Sequence, residues 1–573
     1  MEHPPAPGFL LVALLALVSC ATRAPGRAPS PDAAVTDGAA EALGDASGDA
    51  PGDAPGEVPD AEYIPDDVPT DTVPAGDAPE DVVLASATDA PGRNTLDLPM
   101  GEVWPPVNRW NDRMEEEYSA FVARLGAAVA ARRCGRMDVC LRNPEINSLY
   151  DSASDGRLNL DVDCADLPYI LRAYFAFKRR LPFGYVSVVA GWGGDPRYML
   201  RVRPVQWRAW QQASTPRRFL RDLAGSVHSG MYRVPPTEEA GDLYPTAVTR
   251  EAIRPGTAYY DPNGHVLVVT EVRPDGSIYL MDGHPDGSMT YKRFGEAFAI
   301  GTARLGGGFK NFRPLRWDGA QLTRASNAEL PHYDGASQWD PAVWQAGLPA
   351  DTARGRGGLY HRWVRARMAS PDAVQDPVNE VREQARALCN DVTDRVYAVD
   401  LALAEGVHHQ SHPSSLPWNI YGTTGDWETW STPSRDARLK AAFQELYDTV
   451  AATPEGAVRD AMRDAWDQET SRASCRFGYT RTDGARQELT MGDVLDRLWA
   501  LSFDPYHCPE LRWGAPEGTP ERASCTDDAG RLRWYAAEAR LRNQIERNYG
   551  VATPLTLGPE TPPMVDVRAL FRR

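Results

Sequence analysis

The sequence predicts an α+β fold followed by a mainly helical region, and three observations carry that expectation. The first is Asp161-Val162-Asp163-Cys164-Ala165-Asp166-Leu167-Pro168, which opens a pattern placing Leu167, Ile170, Leu171, Tyr174 and Phe175 on one helical face. The second is a pair of apolar strand-like runs, Gly264–Val272 and Ser277–Met281, divided by the turn Arg273-Pro274-Asp275-Gly276. The third is the series of helical periodicities over Asp376–Ala404, Ser434–Ala452, Pro454–Arg472, Thr490–Leu501 and Arg531–Tyr549.

In chain order, Phe9 to Val18 is an apolar run too short to be a permanent membrane span. It closes on Leu17-Val18-Ser19-Cys20, which resembles a bacterial lipobox. That resemblance implies a signal peptide over residues 1–20, cleavage before Cys20 and acylation of Cys20. The mature chain would then hang from a membrane of the bacterial cell envelope, at the outer membrane or cell surface. No Lys or Arg precedes the apolar run, a departure from the usual signal pattern.

Residues 21–98 read as a disordered acidic tether of Ala, Pro, Gly and Asp, with the near-repeat Gly-Asp-Ala-Pro. The tract holds 17 Asp or Glu against 3 Arg, so it supplies −14 of the chain's net −18. The remainder is close to neutral and shows no basic patch, which argues against a nucleic-acid partner. A flexible tether of this length reaches on the order of 50 Å.

From residue 99 the composition becomes that of a folded protein, divided into residues 99–315 and 316–573. Asn111 to Arg133 reads as an amphipathic helix leading to Cys134 and Cys140, a spacing that suits a local disulfide in an exported chain. Asp163 is placed to cap the next helix, with Asp166 as the acidic member of a capping box. Cys164 then lies at the helix start, where free N–H groups and the dipole favour a thiolate. Pro168 suggests that the regular helix begins nearer Asp166. Strands are expected at Tyr185–Ala190, Tyr198–Val202, Thr257–Asp261, Met289–Arg293 and Ala299–Leu305. A helix is expected over Trp207–Leu223 and a turn-rich insertion over Val227–Ala252. Asp261-Pro262-Asn263-Gly264 is a tight turn before His265.

In an antiparallel hairpin the first residue of one strand lies near the last of the next, so His265 and Asp282 are expected to be neighbours. Cys164, His265 and Asp282 would then supply a nucleophile, a base and an orienter. His284 is the rival for the third place, and Asp282 is preferred because an anion stabilises an imidazolium and fixes its tautomer.

These motifs, with Leu181-Pro182-Phe183-Gly184-Tyr185-Val186-Ser187 leading into a strand, resemble the papain-like superfamily and its transglutaminase-like branch. Bacterial cell-wall cysteine endopeptidases are the nearest competitor. The resemblance covers roughly residues 145–315. It implies a Cys-bearing helix on an antiparallel sheet and attack on peptide, isopeptide or glutaminyl carbonyls. The substrate would be a peptide or cell-wall peptide, with no cofactor. No oxyanion-hole side chain is legible ahead of Cys164. The same fold kept as a peptide- or glycan-binding module is the rival.

Setting aside Cys20, seven cysteines remain: Cys134, Cys140, Cys164, Cys389, Cys475, Cys508 and Cys525. An odd number in an oxidising compartment leaves one unbridged, and Cys164 is the natural one. Residues 306–355 read as a loop-rich connector. His408 and His412 stand one turn apart if helical, but the zinc-protease glutamate is missing and Pro413 ends the pattern. A surface loop is expected there, and no metal. The aromatic tract from Leu416 to Trp430 reads as loops packed on a helical core.

Overall fold

The computed structural model describes residues 103–193, 195–210, 213–348, 356–417, 420–421, 423–430, 432–545 and 558–572, together with the backbone of Val82–Val83 and Thr95–Leu96. The apolar run Phe9–Val18, read as part of a signal peptide, Cys20 and most of the acidic tract lie outside the described residues. Asp77–Arg573 forms one compact unit of α+β architecture.

Helix α1 (Asp112–Ala130) is capped by Asn111, whose Oδ1 accepts the Met114 N–H at 3.0 Å. It buries Tyr118, Phe121, Val122, Leu125 and Val129. Helix α2 (Asp166–Arg179) follows, its apolar face wholly buried. Two short strands inside the stretch read as tether join the body. β1 (Val82–Val83) and β2 (Thr95–Leu96) pair with strands far along the chain, so the tether reading does not hold at those positions.

β3 (Gly184–Trp192) pairs with β1 on one side and with β4 (Leu200–Ala209) on the other. β4 overturns the helix expected from Trp207: the strand runs to Ala209 and a short helix α3 (Pro216–Ala224) begins only after Thr215. The strand expected at Tyr198–Val202 is formed from Leu200, Pro204 hid its continuation, and as an edge strand β4 tolerates a proline.

The central sheet is antiparallel and six-stranded. Its strands are β5 (Leu243–Pro245), β6 (Ala258–Asp261), β7 (His265–Val272), β8 (Ile278–Gly283), β9 (Met289–Arg293) and β10 (Gly308–Phe312), in the order β5-β10-β6-β7-β8-β9. The strand expected at Ala299–Leu305 is not formed; that segment ends in a 3-10 turn, Ala303–Leu305. The strand lies further on, and Gly306 and Gly308 take φ of +72° and +100°, a turn into β10 that composition reads as loop. The expected connector also carries β11 (Leu315–Trp317) and β12 (Leu322–Arg324), which pairs with β2.

β7 reads as a continuous apolar run because both faces are covered. Val266 and Val268 face the core shared with α1 and α2, while Leu267 and Val269 face a second core with Phe294, Phe298, Trp344 and Tyr360. Gly126 lets α1 approach this strand: a Cβ there would lie 2.4 Å from the Thr270 side chain.

The helical region is built on α4 (Pro377–Ala404), α5 (Thr432–Ala451) and α6 (Ala457–Thr470) around Leu388, Val392, Phe443 and Trp466. A hairpin, β13 (Arg476–Thr480) with β14 (Arg486–Thr490), was not expected, and the helix expected over Thr490–Leu501 stops at Asp496. Further on lie α7 (Ala529–Ala537) and α8 (Ala539–Arg542). Bridges join Cys134–Cys140, Cys389–Cys475 and Cys508–Cys525, and Cys164 is free. The sheet meets α4 through charged pairs: Lys292 Nζ lies 2.8 Å from Asp391 and 2.9 Å from Asp394, and Arg293 lies 2.6 Å from Glu380. Among the described residues no helix is long and apolar enough to cross a membrane.

Candidate active site

The entrance to α2 is a reciprocal cap. The Ala165 and Asp166 N–H groups donate to Asp163 Oδ1 at 2.9 and 3.1 Å, and the Asp163 N–H returns to Asp166 Oδ2 at 3.3 Å. The helix begins at Asp166, so Pro168 falls in the first turn, where its missing N–H costs no helical bond. Cys164 is held just ahead of that turn, half-buried and unbridged.

His265 is placed by the turn before it. The Gly264 N–H donates to Asp261 O at 2.9 Å, and the Asn263 N–H donates to Asp261 Oδ1 at 3.0 Å. Gly264 has φ +95°, and a Cβ there would come within 2.6 Å of the Arg197 side chain. Both the turn and that close approach require glycine.

Asp282 is placed by strand register. Val268 stands opposite Met281. Continued towards the start of β7, that register sets His265 across from His284, with Asp282 a diagonal step away on the same face. His265 Nε2 lies 2.8 Å from Asp282 Oδ2. Thr290, directly opposite Asp282 in β9, donates its hydroxyl to Asp282 Oδ1. His284 Nε2 stands 3.5 Å from Asp282 Oδ2 and 3.1 Å from Thr290 Oγ1. The next residue, Gly283, presses this strand end against the cysteine loop: a Cβ there would lie 2.9 Å from the carbonyl oxygens of both Val162 and Asp163.

The three sequence-predicted residues therefore converge on one region, with one detail the sequence did not give. The Cys164 thiol meets the main chain on either side of His265, reaching Gly264 O at 3.9 Å, while the Val266 N–H faces the sulfur. Among the described residues no hydrogen bond joins that sulfur to the His265 ring. With Nε2 taken by Asp282, Nδ1 is the ring nitrogen left for a thiol.

Burial sets the resting charges. It pushes the Cys164 thiol well above its ordinary value, and the Asp163, Asp282 and Asp166 carboxylates add to the rise against the Val266 N–H. Burial, then the Arg438 guanidinium, drives His265 down to about 3, outweighing Asp282. Burial also opposes the Asp282 charge, but His284 and the hydrogen bond from His265 outweigh it and hold the carboxyl well below the usual range. At neutral pH the site rests as a neutral thiol, a neutral imidazole and an ionised aspartate.

Sequence reasoning missed several contributors. Thr290 was recoverable from hairpin register alone. Arg438 was not, because it comes from α5 in the helical region, as does Arg435, which donates to Ser288 Oγ at 3.0 Å. Behind Asp282 lies an internal cavity of about 50 Å³, lined by His284, Lys292, Leu388, Arg438 and Glu445 among others. The surface loop expected around His412 is formed, with His409, Gln410 and Ser411 exposed, but His412 itself turns inward. Its side chain is buried, with Nε2 2.7 Å from Asp504 Oδ2. Tyr421 and Trp427 are buried with Phe503 and Tyr506, as loop packing requires.

No protein-family model, no curated protein and no solved structure matches this chain.

Proposed function

We propose that the chain is a membrane-anchored envelope cysteine hydrolase or acyltransferase with a papain-like, transglutaminase-like core. The observation that carries this reading is the His265–Asp282 pair at 2.8 Å beside a free thiol whose sulfur rests on the main chain flanking that histidine. In this reading Cys164 attacks a peptide, isopeptide or glutaminyl carbonyl as His265 Nδ1 takes the thiol proton. Asp282, on Nε2, fixes the tautomer and stabilises the imidazolium. His265 then returns the proton to the leaving amine. The thioester is resolved by water in a peptidase or by an amine in a transglutaminase. Because both partners rest neutral, proton transfer accompanies the attack. Acylated Cys20 and the acidic tether would carry the domain from the membrane towards a cell-wall peptide substrate.

The raised thiol and its main-chain contacts favour a second reading, a catalytically silent envelope lipoprotein that binds peptide or glycan. Two probes separate them: alkylation of Cys164 by iodoacetamide, read by intact mass, and release of p-nitrophenolate from p-nitrophenyl acetate. The enzyme reading expects both in the folded wild type, each slowed roughly a hundredfold or more in His265→Ala. An inert Cys164 in the folded wild type would leave the binding module.

A further inference from the structure

A second histidine–carboxylate centre lies in the helical region, with Asp504, His507 and Glu538 all fully buried. Asp504 and His507 sit on the segment before the Cys508–Cys525 bridge, and Glu538 sits at the junction of α7 and α8. Their outward contacts are all orienting ones. His507 Nδ1 lies 2.7 Å from Asp527 Oδ2, and the Cys508 N–H holds the other Asp527 oxygen at 3.2 Å. Asp504 takes the Tyr506 N–H on Oδ1 at 3.0 Å and His412 Nε2 on Oδ2 at 2.7 Å. Glu538 takes Arg542 Nη1 on Oε1 at 2.6 Å.

The inward atoms are the unusual ones. Asp527 fixes the His507 proton on Nδ1, which leaves a lone pair on Nε2. Neither His507 Nε2 nor Glu538 Oε2 meets a hydrogen-bond partner among the described residues. Nε2 lies 4.0 Å from Asp504 Oδ2, and one ligand atom from each of the three side chains lies within 4.8 Å of the others. An imidazole nitrogen and two carboxylates thus converge in the buried interior, and His507 Nε2 and Glu538 Oε2 are unpartnered there. Left so, His507 Nε2 and Glu538 Oε2 each bear the cost of an unsatisfied buried polar group.

We infer that Asp504, His507 and Glu538 form a binding site for a divalent transition metal of the zinc class. One imidazole and two carboxylates suit Zn²⁺ or Co²⁺, and a carboxylate behind the ligating imidazole is the arrangement that orients a metal-bound histidine. A tetrahedral ion with bonds of about 2.0–2.1 Å sets its donors about 3.3 Å apart. The 4.0 Å pair therefore closes by less than an ångström. The charged groups facing the cluster are Asp527, Arg512, Arg542, Lys440 and His412, with Arg531 Nη1 3.9 Å from Asp527 Oδ1, and the Ser502 hydroxyl faces Glu538. The ion would clamp the α7–α8 segment to the chain around Asp504, apart from the Cys164 chemistry.

The test uses full-length protein stripped with a chelator and titrated with Zn²⁺ and, separately, with Co²⁺. The expected result is one equivalent of bound metal, a raised thermal midpoint and visible Co²⁺ ligand-field absorption. His507→Gln and Glu538→Gln should each weaken binding at least tenfold and lose the Co²⁺ bands. The wild-type Co²⁺ spectrum reads ligation even where a variant fails to fold. Two outcomes overturn the site. One is metal retained equally by both folded variants. The other is wild-type protein that binds neither ion and shows by infrared a protonated Glu538 carboxyl shared with His507.

Discussion

His265 and His507 are both buried and both held by a carboxylate oxygen, at 2.8 and 2.7 Å, but on opposite ring nitrogens. At His265 the aspartate takes Nε2, and the backbone flanking the ring meets a thiol. At His507 the aspartate takes Nδ1, and the other nitrogen faces two more carboxylates. A histidine–aspartate pair by itself thus specifies no chemistry; what the second nitrogen faces sets which chemistry is open to it.

The largest expected effect tests that difference directly. Cys164→Ala and His265→Ala should each remove nearly all turnover of p-nitrophenyl acetate, and the double variant should be little worse, because the two act as one unit. Asp282→Ala should cost less, roughly a hundredfold, since it orients the base and does not attack. His507→Gln should leave turnover of the folded protein within about twofold. Equal losses from His265 and His507 variants would dissolve the distinction between the two centres.

The covalent frames of the two regions should also differ. Cys389–Cys475 closes a loop with a sequence separation of 86, and Cys134–Cys140 one of 6. By chain entropy, replacing the first pair with alanines should cost about 4–5 kcal/mol in urea unfolding and the second about 2 kcal/mol. A reversed order would mean that native-state packing, not loop closure, dominates.

Smaller effects probe the approach of the strand end to the cysteine loop. Gly283→Ala forces a Cβ against two carbonyl oxygens and should cost about 1–3 kcal/mol, together with slower alkylation of Cys164. Gly135→Ala meets nothing within 4 Å and should stay within about 0.5 kcal/mol. The last effect is a pH slope. His265 is held at about 3 against an ordinary 6.5, and His228 at about 4. Below pH 6.5 the unfolded chain binds protons that these native imidazoles refuse. Stability should therefore fall as pH drops from about 6.5 towards 3, by at most about 1.4 kcal/mol per pH unit for each histidine. His265→Gln should flatten the part due to His265, leaving that of His228; an unchanged slope in chemical denaturation would refute the buried-neutral assignment.

Legibility followed the range of the interaction. The Asp163–Asp166 cap, the hairpin that brings His265 to Asp282, the Cys134–Cys140 bridge and the solitary Cys164 were all readable, because each rests on residues close in sequence or on a simple parity. β10, set between β5 and β6, was hidden behind glycines, and Pro204 disguised the second half of β4, whose start was expected within Tyr198–Val202. Both strands are stabilised by partners that local pattern does not display.

What the sequence determined by itself is the α+β succession and the position of Cys164 at a helix start, since capping and apolar periodicity are set by the chain's own neighbours. What only the tertiary structure decided is the environment of each titratable group. Arg438 reaches the His265 site from 173 residues away in α5. Likewise His412, Asp504, His507, Asp527 and Glu538 follow no motif spacing, yet share one buried centre. Burial and long-range charge are properties of packing, and packing is fixed only when distant segments close on one another.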